Sequence, residues 1–102
     1  MIERDKLARR WIHSHEEDGA WEMVFRPEGF GFPPSRGRRV LDLRADGSYT
    51  EQAPGPTDAP QESAGEWELQ DDQLLLREGP EGAGTRAVRV LRVDGERLVI
   101  GR

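Results

Sequence analysis

The chain has 102 residues, which is one domain's worth. Apolar residues make up 34% and charged residues another 34%, so one small core is all the sequence can fill. Cysteine is absent, which excludes disulfides, thiolate zinc sites and cysteine nucleophiles.

Fifteen Lys and Arg stand against 20 Asp and Glu, a net charge of -5. Residues 1–50 balance, with 9 bases and 9 acids, whereas residues 51–102 carry 6 bases and 11 acids. An acidic chain repels phosphate backbones, so nucleic acid is not an expected partner. A polybasic membrane patch is missing too. No apolar run nears the roughly 18 residues of a membrane span. The charged opening Met1-Ile2-Glu3-Arg4-Asp5-Lys6 does not read as a secretory signal. A cytoplasmic protein with no membrane partner is the expectation.

In chain order, residues 2–10 read as a short helix or as the lead-in to a strand over 7–13. Residues 20–26 alternate Trp21, Met23 and Phe25 against Glu22, Val24 and Arg26, the period-2 signature of a half-buried strand. Residues 27–37, Pro-Glu-Gly-Phe-Gly-Phe-Pro-Pro-Ser-Arg-Gly, cannot be regular structure. Phe30 and Phe32 are costly to leave in water, and the segment is expected to fold over one barrel end as a plug or lid.

Residues 41–44 and 48–52 flank Asp46-Gly47, a hairpin turn pair. Pro54 opens a second proline-rich loop over 54–61. Residues 66–69 and 74–77 flank Asp71-Asp72, a hairpin with weaker turn residues. Residues 79–84 form a loop. Residues 87–93 and 97–100 flank Asp94-Gly95, another hairpin. About eight strands result, the number that closes a small barrel. The fold expected is all-β, a single domain over 1–102, an antiparallel up-and-down barrel.

Gly65-Glu66-Trp67-Glu68-Leu69, followed by Leu74-Leu75-Leu76, resembles the Gly-x-Trp and Leu-rich strand pattern of small bacterial lipocalin-like (calycin-type) domains. The likeness covers roughly residues 38–101 by hairpin order. It implies a barrel and, by the family's habit, carriage of a small molecule. True lipocalins place Gly-x-Trp on the first strand, whereas here Arg9 stands two residues before Trp11.

His13 and His15 are the two histidines. On a strand, positions i and i+2 point the same way, so both can face one metal, with Glu17 or its acidic neighbours as a third ligand. The competing reading is a polar strand end that runs into an acidic turn. Alternation also turns ionisable groups inward. Glu51 shares a face with Tyr49. Residues 87–93 bring in Arg89 beside Ala87 and Leu91, or Arg86 and Arg92 beside Val88 and Val90. Charge inside a barrel must be paired or hydrated. Ser14 lies between two histidines, but strand neighbours point oppositely, so no Ser-His pair forms.

The leading expectation is therefore a non-enzymatic binding domain for a small, partly apolar, anionic molecule. Arg36, Arg38 and Arg89 would pair with the anion, and Trp21, Phe30 and Phe32 would give apolar contact. No cofactor follows from the residues. The alternatives are a metal site or metalloenzyme on His13, His15 and Glu17, and an interaction module using the Pro/Phe loop, with a homodimer as one form of it.

Overall fold

The computed structural model describes residues 2–35, 37–54, 61–79 and 84–101. After one helical turn, α1 (Arg4–Leu7), come eight strands: β1 (Arg10–His13), β2 (Glu22–Pro27), β3 (Val40–Leu43), β4 (Ser48–Ala53), β5 (Gln61–Gln70), β6 (Gln73–Glu78), β7 (Gly84–Val93) and β8 (Leu98–Gly101). A 3-10 turn, His15–Glu17, follows β1. The strands close into an antiparallel barrel in the order β1-β2-β8-β7-β6-β5-β4-β3 and back to β1.

Alternation builds the interior. Leu41 and Leu43, Tyr49, Trp67, Leu74 and Leu76, Val90, Leu98 and Ile100 are all buried in one core with Trp11 and Phe25. Register stacks these positions across the sheet: Leu43 faces Tyr49, Tyr49 faces Gly65, and Trp67 faces Leu76. Gly65 is demanded by close approach, because a Cβ there would run into the Arg77 carbonyl of β6.

The hairpins form at the expected places by differing means. Gly47 supplies a positive φ of 95°. At Asp94-Gly95, glycine does not take that conformation. The Asp94 carboxylate instead accepts hydrogen bonds from the Glu96 and Arg97 amides. In the third hairpin, Asp71 itself is left-handed, with φ 55°.

Register settles the parity of β7. Leu76 faces Arg86 and Leu74 faces Val88, so Arg86, Val88 and Val90 share the inner face. Arg89 is therefore outside, held by Asp72 at 3.2 Å, and the inward option for Arg89 is corrected. A bulge between Val90 and Arg92 then shifts the register, so that Arg92 points out to Asp94 and Val93 packs on the core.

The neighbour order departs from a plain up-and-down meander at one place. β1 lies between β2 and β3 and runs antiparallel to both. The connection over residues 28–39 must then climb the outside of β1, from the end where Pro27 pairs with Trp11 to the end where the Arg39 carbonyl accepts the His13 amide. The Phe segment is thus a strap on the barrel wall, which corrects the expected end plug.

The plug is α1 instead. Leu7 is fully buried and its carbonyl accepts the Trp11 indole N–H at 3.0 Å. Arg4 lies over the Trp67 ring at 4.4 Å and donates to the Ala45 carbonyl, and Arg9 donates to the Gly95 carbonyl. Two hairpin turns and the helical turn so close this end, leaving the other end polar.

Candidate functional site at the open end

The inner face changes character toward the end of the barrel where β4 and β6 finish and β5 and β7 begin. Leu and Trp give way to Glu51, Ser63, Glu78 and Arg86 around Tyr49. These groups, with Leu76 and Thr85, line a pocket of about 190 Å³. Toward the plugged end the interior holds the buried core cluster of Trp11, Phe25, Leu74, Leu98 and their neighbours.

Glu51 is the charged centre. It is 8% exposed, and its two oxygens take separate arginines: Oε1 accepts from Nη2 of Arg86 at 2.7 Å and Oε2 from Nη1 of Arg39 at 3.3 Å. A buried carboxylate needs such pairing to stay ionised. Tyr49 is 3% exposed, and burial pushes its phenol pKa up, so it stays a neutral hydroxyl. That hydroxyl has no hydrogen-bond partner among the described residues, yet it is not sealed off: it opens on the pocket. Ser63, Thr85 and Glu78 line the same space, also without side-chain partners among the described residues.

A second polar construction holds the strap. Glu16 accepts two hydrogen bonds from Arg38, at 2.8 and 2.6 Å, and Glu17 accepts two from Arg26, at 2.8 and 2.6 Å. Each arginine lies 4.7 Å over one ring, Arg38 over Phe32 and Arg26 over Phe30, and the two rings meet edge to face at 5.0 Å. Arg38 also donates to the Pro33 and His13 carbonyls. The arginine hydrogen bonds hold Glu16 and Glu17 at pKa values of about 2.

The residues expected to bind an anion are only partly brought together. Phe30, Phe32 and Arg38 meet in the strap, where Arg38 is saturated by Glu16. Trp21 stands 84% exposed at the start of β2. Arg89 lines an open groove of about 600 Å³ near Ile2 and Asp71, on the outer wall. Arg36 lies outside the described residues, as do positions 55–60 and 80–83 of the two other expected loops.

The His13 and His15 rings stand 6.1 Å apart. His13 Nε2 donates to Asp18 at 2.9 Å, His15 Nε2 is 3.3 Å from the Ser35 hydroxyl, and Glu17 is taken by Arg26 and Ser14. Among the described residues no group of three or more His, Asp or Glu is placed to hold a metal ion.

Sequence reasoning found Glu51 and kept Arg86 open, but missed Tyr49, Ser63 and Glu78 as lining. The parity of Tyr49 and Glu51 was a usable signal. Inward Ser63 gives no apolar mark, so the first half of β5 was invisible.

What fold and site define is a closed, eight-stranded antiparallel barrel with one plugged end and one end that is polar and, among the described residues, open. No helix among the described residues is long and apolar enough to cross a membrane. Comparison with protein-family models, with curated proteins and with solved structures finds no match to this chain.

Proposed function

We propose that the chain is a non-enzymatic binding domain, lipocalin-like in its use of a barrel end, that holds a small hydrophilic molecule between β4, β5, β6 and β7. The observation that carries this reading is the hydroxyl of Tyr49, a residue only 3% exposed, which has no partner among the described residues and opens on the pocket. Because the hydroxyl opens on the pocket it can bond water there, and a ligand group that takes the water's place can keep that hydrogen bond. The volume, about 190 Å³, is below the roughly 300–1,000 Å³ of sites for drug-sized ligands, so lipids and large aromatics do not fit. The buried carboxylate favours binding over catalysis, because each of its oxygens is already engaged by an arginine.

A second reading, a protein-docking module, is favoured by the exposure of Trp21 together with Phe30 and Leu91.

Amide NMR shifts of the labelled protein, titrated with a panel of small sugars, polyols, carboxylates, amines and amino acids, test the first reading. Saturable shifts at Tyr49, Ser63, Thr85 and Arg86 are expected. Unmoved amides there across the whole panel overturn it.

A further inference from the structure

The open-end pocket carries both signs of charge, set apart. Glu51 contributes one negative charge and is shared by two arginines, Arg86 in the lining and Arg39 behind it, so this ion-pair cluster has one positive charge in surplus. Glu78 faces the same pocket from β6 and has no ion-pair partner among the described residues. Leu76 pairs with Arg86 and Glu78 with Gly84, so Glu78 and Arg86 are diagonal neighbours on one face, roughly 7–8 Å apart in the backbone. Arg86 spends Nη2 on Glu51, while its Nε and Nη1 have no partner among the described residues. Tyr49 and Ser63 add hydroxyls to the same lining.

We propose that the ligand is a small zwitterion, an ammonium and a carboxylate a few bonds apart, with its carboxylate on Arg86 and its ammonium on Glu78. The proposal rests on the reading of this end as the binding site. A simple anion would face Glu78, and a simple cation would face the surplus charge of Arg39 and Arg86; a zwitterion meets opposite charge at both ends. The Tyr49 hydroxyl accepts from the ammonium or donates to the carboxylate. Size agrees: about 190 Å³ is the liquid volume of about six waters, the scale of a short amino acid.

The test titrates labelled protein with glycine, β-alanine, γ-aminobutyrate and 5-aminopentanoate, and with butyrate and butylammonium as one-charge controls. At least one amino acid should shift the Ser63, Thr85 and Arg86 amides saturably, and bind about tenfold or more tighter than either control. Glu78→Gln, at an exposed position that should fold normally, should weaken the tightest amino acid about tenfold without weakening butyrate. Equal binding of amino acids and a control at those amides overturns the zwitterion and leaves the site standing. Silence from all six probes also overturns the zwitterion. The site itself falls only if the wider panel of sugars, polyols and other small molecules is silent too.

Discussion

Glu51 and Arg86, on strands that are not neighbours in the barrel, meet across its open end at 2.7 Å. The pair is lopsided: the Glu51 side chain is 10% exposed, that of Arg86 48%. Removing either partner therefore has unequal consequences. Without Glu51, both arginines can turn to water, so Glu51→Gln should cost about 1 kcal/mol. Without Arg39 and Arg86, the carboxylate stays buried and unpaired. The Arg39→Ala, Arg86→Ala double variant should cost about 3 kcal/mol or more. Urea unfolding of the two variants measures the asymmetry, and equal losses would contradict it.

The strap clasp predicts a response to acid. Glu16 and Glu17 have folded pKa values of about 2, below their ordinary 4.5, chiefly because Arg38 and Arg26 donate to the ionised carboxylates. A depressed folded pKa means that the unfolded chain takes up protons first. The clasp's stabilisation is therefore full above about pH 4.5 and drains away as pH falls toward 2. Asp46 and Asp94 act in the same direction, held down by Ser48 and by the Glu96 amide respectively. The Glu16→Gln, Glu17→Gln double variant should flatten the loss of stability between pH 4.5 and 2. An unchanged acid-unfolding curve would show that the clasp contributes nothing.

Strands showed in the sequence wherever apolar residues alternate, as in Leu41 and Leu43, because the barrel buries one face of each strand. The alternation found β2 as well, but there Phe25 is buried while Trp21, ahead of the strand, is exposed and Val24, expected on the wet face, is buried. The signal failed where the inner face is polar or small. Inward Ser63 and Gly65 hid the start of β5, and Arg86 competed with Arg89 until cross-strand register decided. At Leu7 the sequence left a short helix and the lead-in to a strand both open, because one apolar residue before a strand fits either, and the contact with Trp11 goes with the helical turn. The path of the strap was likewise illegible. Nothing local to Phe30 and Phe32 says that β1 is paired on both sides by strands of the same direction.

Gly65 gives a sharp steric prediction. Its position opposite Tyr49 and under the Arg77 carbonyl leaves no room for a methyl group. Backbone cannot step aside as a side chain can, so Gly65→Ala should destabilise by at least about 2 kcal/mol. Gly31, with nothing near its missing Cβ, is the control, and Gly31→Ala should be near neutral. Chemical denaturation of both variants checks the contrast.

The plug predicts that a four-residue helix carries stability out of proportion to its length. Such a turn cannot stand alone in water, so α1 persists through burial of Leu7 and the contacts of Arg4. Leu7→Ala should cost about 2–5 kcal/mol. Arg4→Ala should cost about 0.5–1 kcal/mol, through the Trp67 contact. Faster hydrogen exchange at the Trp67 amide, which donates to the Gly47 carbonyl beside Arg4, should accompany both.

Trp21 separates a binding pocket from a docking surface. Trp11 and Trp67 are buried, whereas Trp21 is 84% exposed, so one emitting population of three should be open to acrylamide. Trp21→Ala should remove that quenchable component and change stability by no more than about 0.5 kcal/mol. If the isolated protein pairs with a second copy through this face, Trp21 is shielded, quenching is weak at high concentration and rises on dilution. Quenching independent of concentration, with a single sedimenting species of monomer mass, leaves Trp21 facing water and the polar barrel end as the place to look for a ligand.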